Sequence, residues 1–219
     1  MLESGGVWQS RNDVKIPGNS GNRVDFDEFD QGPFFHYRKE IFWKITERST
    51  LRFIYAPFNI LVTGILLNDV NYNNKTFSAG QELEVDYKFN SYRASYIYYF
   101  LGTGDSQFNL GLTGKIRDAE IKFKQGLQES SYDNIGFVPL IYFEIQTALS
   151  SNWLINLNMD GAAAPQGRAF DLSLKLRRKL SKTFQLGLGA RTLEGGADND
   201  KVYTFSWFNY AVLDLTGSF

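Results

Sequence analysis

His36 is the only histidine in 219 residues, so any chemistry that needs an imidazole near neutral pH has to use it. Cysteine is absent, which removes thiolate nucleophiles, disulfides and cysteine metal sites together. Ser, Asp and Glu are plentiful, yet no spacing marks one of them as the partner that would make His36 a catalytic base. A hydrogen-bonded histidine in a structural interior is the simpler reading. A second group, Glu194, Asp198 and Asp200, offers the oxygen ligands that Ca²⁺ takes. The stretch lacks the spacing of an EF-hand, so a solvated acidic loop is the simpler reading, and the sequence calls for no metal or cofactor. Gly187-Leu188-Gly189 lies in a strand-like run with no phosphate-loop context. The alternating segment from Lys115 to Lys122 reads as a ladder of ion pairs more readily than as a binding motif.

The elements that carry these residues are strands. From Tyr203 onward, Phe205, Trp207, Ala211, Leu213, Leu215, Gly217 and Phe219 share one parity, while Thr204, Ser206, Asp214, Thr216 and Ser218 share the other. Side chains alternate across a strand, so one face of this segment is a long apolar strip. The strip outruns the usual strand of a globular protein and matches a tilted membrane-crossing strand of ~9–11 residues. No window approaches the ~18 continuous apolar residues of a transmembrane helix. A mean hydropathy of −0.29 agrees with a barrel in which only alternate residues meet lipid, and 16% aromatic content fits strands bordered by aromatic girdles. The net charge of −1 argues against nucleic acid as a partner. Met1 to Gly6 shows no basic segment followed by an apolar one, which fits a mature chain with its leader removed.

Residues 1–20, rich in Gly, Asn and Ser, read as a flexible N-terminal arm, and residues 21–219 as one barrel domain. Strands are expected at 23–29, 34–46, 51–66, 82–101, 107–124, around 141–149, 153–159, 170–176, 184–190 and 203–219. That makes about ten, or eight if 23–29 stays out of the sheet, with short periplasmic turns and longer outer loops. Pro57 predicts an unpaired position or bulge. The apolar parity changes near Asn90-Ser91 and again near Arg117-Asp118, as one extra residue in each strand would cause. Longer loops are expected at 68–76, 125–134, 162–167 and 194–200.

On the opposite face lie Arg38, Glu40, Lys44, Glu82, Glu84, Asp86, Lys88, Arg93, Lys115, Arg117, Glu120, Lys122, Glu144, Asp160, Asp171, Lys175, Arg177 and Arg191. If the apolar face meets lipid, these line the lumen. Their mixed signs favour ion pairs that fill a narrow interior over an ion-selective pore. The alternative orientation, apolar inside and charged outside, is that of a soluble lipocalin-like ligand-binding barrel.

The closing strand, with its alternation and terminal Phe219, resembles the last strand of bacterial outer-membrane β-barrels. There such an ending addresses the chain to the barrel-assembly machinery. Gly161–Asp171 (GAAAPQGRAFD) and Arg191–Phe205 (RTLEGGADNDKVYTF) are similar to an uncharacterised group of proteobacterial outer-membrane barrels, over about Arg11 to the C-terminus. The resemblance implies an all-β antiparallel transmembrane barrel of the Gram-negative outer membrane. Its partners would be outer-membrane lipid and lipopolysaccharide. Lipid-modifying barrels place a histidine near the outer rim, which keeps a hydrolase or acyltransferase using His36 as an alternative. Omptin-like proteases have ten strands but need paired acids beside a His–Asp pair, and no such motif stands here. The expectation is a non-enzymatic barrel, either structural or for a small solute or ligand, with a charged and largely plugged lumen.

Overall fold

The computed structural model describes residues 1–165 and 167–218. In chain order they form β1 (Leu2–Lys15), β2 (Val24–Asp25), a 3₁₀ turn (Phe26–Glu28), β3 (Phe34–Thr46), β4 (Ser49–Ala56) and β5 (Asn59–Ile65). There follow β6 (Val70–Tyr72), β7 (Lys75–Phe77), β8 (Glu82–Thr103), β9 (Ser106–Gln125) and β10 (Gln128–Ala148). The chain ends with β11 (Trp153–Ala164), β12 (Gly167–Lys179), β13 (Phe184–Asp198) and β14 (Tyr203–Gly217). The main sheet runs β14-β13-β12-β11-β10-β9-β8-β4-β3-β1, every pair antiparallel, and β1 returns to β14 to close it. β4 and β5 both lie on β8 and form one wall strand interrupted at Pro57-Phe58, as a residue without an N–H requires. Counted so, the barrel has ten strands.

The count matches the sequence expectation, but one member differs. Residues 1–20 are not an arm: β1 pairs with β14 from Leu2↔Leu215 to Lys15↔Tyr203 and closes the barrel. Ser4, Gly5 and Gly6 hid the strand, because glycine is depleted in strands. Here Gly5 is demanded by closeness, since a methyl group on it would stand 1.9 Å from the Ala211 carbonyl oxygen. Conversely, 23–29 supplies only the two residues of β2 and a 3₁₀ turn. The Asn-rich stretch at 68–76 folds as the β6–β7 hairpin, turned by Asn73 and Asn74 at φ 45° and 65°, the left-handed pair that a tight hairpin needs. The loops expected at 125–134 and 194–200 are largely strand, since β10 begins at Gln128 and β13 runs to Asp198.

The expected bulges near Asn90 and Arg117 do not exist. β8 and β9 pair without a shift from Glu84↔Lys124 to Tyr99↔Asn109, and the single irregularity lies beyond, next to the turn. Each strand keeps one geometry while its surroundings change. Below Ser91, toward the short turns, Tyr92, Ala94, Tyr96 and Tyr98 point out while Arg93 and Ser95 point in. Above it, Glu84, Asp86 and Lys88 point out while Leu83, Val85 and Tyr87 point in. The barrel wall therefore has two zones with inverted chemistry.

In the lower zone the outward face is apolar. Phe35, Leu112, Phe137 and Leu188 are each 66–72% exposed. So continuous an apolar belt is stable only against hydrocarbon. A tyrosine row borders it, Tyr37, Tyr55 and Tyr92, with successive ring centroids 6.4 and 5.5 Å apart, as amphipathic rings do at a membrane interface. This zone excludes the lipocalin-like alternative. In the upper zone the interior is an apolar core. Val7, Val14, Ile60, Val62, Leu83, Val85 and Phe123 come from the wall, and Phe26, Tyr72 and Phe77 from the two connecting segments that fold inward. Tyr72 stacks on Phe123 at 3.9 Å and donates its hydroxyl to the Ile121 carbonyl at 2.7 Å. Burial raises that phenol above its ordinary range.

Candidate functional site

Beneath the apolar layer the interior turns ionic. Asp160 accepts from Arg52 at 2.7 Å, Arg93 at 2.9 Å and Thr113 at 2.7 Å. Asp171 meets Arg93 and Arg191 at 2.6 Å each, and Arg38 at 3.4 Å. Glu3 takes Lys175 and Arg191, while Asp214 takes Lys175 at 3.1 Å and Arg177 at 3.4 Å. Glu40 pairs with Arg38 at 2.7 Å, and Glu144 accepts from Asn109 and Asn156 at 2.7 and 2.8 Å. A buried charge is tolerable only when paired in this way. At the inner mouth the remaining cavity is about 20 Å³, room for about one water.

Half of the expected lumen residues belong to this layer: Arg38, Glu40, Glu144, Asp160, Asp171, Lys175, Arg177 and Arg191, with Arg93. Lys115 and Arg117 face inward just above it. Glu84, Asp86, Lys88, Glu120 and Lys122 do not. They share the outward face of the upper zone, where Lys88 pairs with Asp118, Lys122 with Glu129 and Lys124 with Glu84. The reason is the expected bulges: a parity flip would keep the apolar face outward, whereas the strands hold their parity and the surroundings invert. Lys44 has inward parity but stands exposed at the mouth, bound to Glu47. Glu3, Arg52 and Asp214 were missed. Glu3 was lost with the supposed arm, whereas Arg52 between Leu51 and Phe53, and Asp214 on the polar parity of β14, were readable from alternation.

His36 is 4% exposed beneath the apolar layer, its nearest carboxylate Glu3 at 3.7 Å and its ring edge-on to Tyr210. Its Nε2 has no hydrogen-bond partner among the described residues. Among the described residues no nucleophile–base pair is assembled around it. Glu194 is held by Arg168 at 2.7 Å, and among the described residues no three acidic or histidine side chains gather as a metal site around Asp198 and Asp200.

Sequence reasoning allowed for a small ligand but gave it no place; the structure has a cavity of about 410 Å³ on one side of the upper zone. Its walls are Phe89, Ile121, Val138, Leu193 and Phe208, with Ala162, Ala164, Ala169, Gly195 and Ala197 leaving the room. Lys115 and Arg117 also line it. Gly136 opposite lets the Arg117 guanidinium lie across the strand, 3.2 Å from where a methyl would be. The wall beside the cavity is split. β9 and β10 pair along their whole length, but β10 and β11 pair only up to Ile141↔Gly161. Beyond that point β10 has a free edge. The carbonyls of Glu129 and Ser131 on it are taken by Lys75 and Asn73. Pro139 shares their parity, so its missing N–H falls on the unpaired edge, where proline is tolerated.

The solved structure of the outer membrane protease OmpT from Escherichia coli matches 100% of this chain with 95% of its own, at 8% identity and a TM-score of 0.59. This is the outer-membrane β-barrel fold. Looser likenesses are the attachment invasion locus protein Ail of Yersinia pestis and the toluene transporter TodX of Pseudomonas putida. Ail has 10% identity, 97% of each chain covered and a TM-score of 0.41. TodX has 9% identity, 100% of this chain and 89% of that one covered, and a TM-score of 0.33. No family model and no curated protein matches the chain. At such identities the likeness carries the fold and not an activity. Gln166, inside one of the quoted motifs, and Phe219, the proposed assembly signal, lie outside the described residues.

Proposed function

We propose that this is a non-enzymatic barrel of the bacterial outer membrane that holds a small ligand in its outer cavity and does not conduct along its axis. The observation that carries this reading is the division of the interior. An apolar core and an ionic layer fill the axis in series, while a sizeable cavity stays open beside them. A diffusion pore needs a continuous aqueous path, and a lipid-directed enzyme needs its histidine within reach of the bilayer or the rim. His36 lies beneath the apolar core and against the ionic layer, buried between the two. The cavity, by contrast, has the size and apolar lining of a small-molecule site, with a few polar groups to orient what it holds. The test is native mass spectrometry of the protein extracted from outer membranes. An additional small mass is expected on the wild type and absent from Ala162→Trp, whose indole would occupy the cavity. Identical spectra without an adduct for both would remove the ligand from the proposal.

A further inference from the structure

We infer that the ligand is a single-chain amphiphile with a carboxylate head, taken from the outer leaflet through the split between β10 and β11. This deepens the ligand-holding reading above and rests on it. The head group follows from charge. In the ionic layer Glu3, Glu40, Glu144, Asp160, Asp171 and Asp214 face Arg38, Arg52, Arg93, Lys175, Arg177 and Arg191, six acids to six bases among the described residues, and Lys115 stands buried just above them. Each acid is satisfied within the layer, and every base but one has a carboxylate. The exception is Lys115, 3% exposed, whose ammonium lies 4.9 Å from the Phe89 ring centroid with no carboxylate at ion-pair distance. Two residues on, Arg117 reaches only the Asn134 amide oxygen, and its Nε has no partner. The acids nearest the cavity do not answer them. Glu194 and Glu120 both line the cavity, but Glu194 is bound by Arg168 and Glu120, of outward parity, is at ion-pair distance from neither. Two neighbouring basic groups without a carboxylate partner, at the base of an apolar cavity, suit a carboxylate: a point charge for Lys115 and a fork for Arg117.

The tail and the route follow from the wall. A cavity of about 410 Å³ is at the small end for ligand sites, which favours one alkyl chain over two. Above the last β10–β11 pair, at Ile141, the outward face of β10 continues as Pro139, Phe137 and Ile135. Phe137 and Ile135 are 72% and 73% exposed, so the split opens onto the hydrocarbon side of the interface and not onto water.

The full chain in nanodiscs of zwitterionic lipid, dialysed against laurate, dodecyltrimethylammonium or dodecanol, tests this against empty nanodiscs. Laurate is expected to bind in excess. Lys115→Met with Arg117→Met should weaken it about tenfold to a hundredfold, the effect of a lost charge-assisted bond, and Lys115→Arg should retain it. Ala162→Trp, or Ala169→Trp should the first not migrate as a folded barrel, should abolish it. Equal binding of the cationic or neutral probe, or laurate binding indifferent to the cation pair, overturns the head-group assignment. The cavity as a ligand site survives that result while the tryptophan fillers still remove the binding, and falls if no probe responds to them. Joining Pro139→Cys to Ala163→Cys with a short bis-maleimide should slow laurate uptake about tenfold, and an unchanged rate overturns the lateral route.

Discussion

Asp160 holds three donors of the ionic layer at once, Arg52, Arg93 and Thr113. Arg52 is further fixed by Ser95 at 2.9 Å and by the Tyr142 ring at 4.2 Å, so it cannot swing out to water once its acid is gone. Removing one partner of a buried pair costs more than the pair contributes, because the survivor stays desolvated. Asp160→Ala is therefore expected to lose about 3–5 kcal/mol, read as a lower urea midpoint for unfolding from vesicles by tryptophan fluorescence. An unchanged midpoint would mean that Arg52 and Arg93 are hydrated and that the layer is not dry. Asp160, Asp171 and Lys175 could be assigned to the interior from alternation alone, because non-polar neighbours on both sides fix their parity. That Lys115 lacks an acid could not. Pairing depends on which strands meet across the lumen, and no local pattern encodes that.

At the scale of elements, the sequence speaks clearly where a strand lies in the bilayer and ambiguously where it leaves. β12 and β14 show alternation within the belt; the expectation matches β14 to within two residues and covers the middle of β12, 170–176 of Gly167–Lys179. β8, β9 and β10 cross the interface partway along, and there the solvent on each face exchanges: lipid gives way to water outside, and salt bridges give way to an apolar core inside. A periodicity reading sees that exchange as a slipped residue. β1 failed for another reason, since closeness to β14 demands small residues that carry no strand signal. The exchange has a direct consequence. In this cysteine-free chain, Asp86→Cys and Lys122→Cys should react with a membrane-impermeant maleimide on intact cells, whereas Leu112→Cys should not. Reaction at Leu112→Cys with protection at the other two would restore the bulged strands and invert the upper zone.

For the molecule as a whole, the arrangement separates two tasks along one axis. The ionic layer seals the barrel at membrane depth with polar groups, which suits an interior lined by the alternate face of lipid-exposed strands. The apolar layer seals it again above the membrane with the connecting segments, and Val70, Tyr72 and Phe77 of the β6–β7 hairpin enter that core fully or nearly so. Each such side chain contributes about 1.5–3 kcal/mol by burial, offset by the cost of ordering the segment. Replacing residues 68–79 with a short Gly-Ser turn should therefore lower stability by a few kcal/mol. The wall pairings of β5 with β8 do not involve those residues, so the variant should still migrate as a folded, heat-modifiable barrel. Two seals in series also predict its electrical behaviour. Wild type should be silent in planar bilayers, and the hairpin deletion should be silent too, because the ionic layer beneath is untouched. Conductance is expected only when Asp160→Ala is added to the deletion, opening both layers on one path. Channels from the hairpin deletion alone would locate the whole barrier in the apolar core and reduce the ionic layer to a hydrated lining.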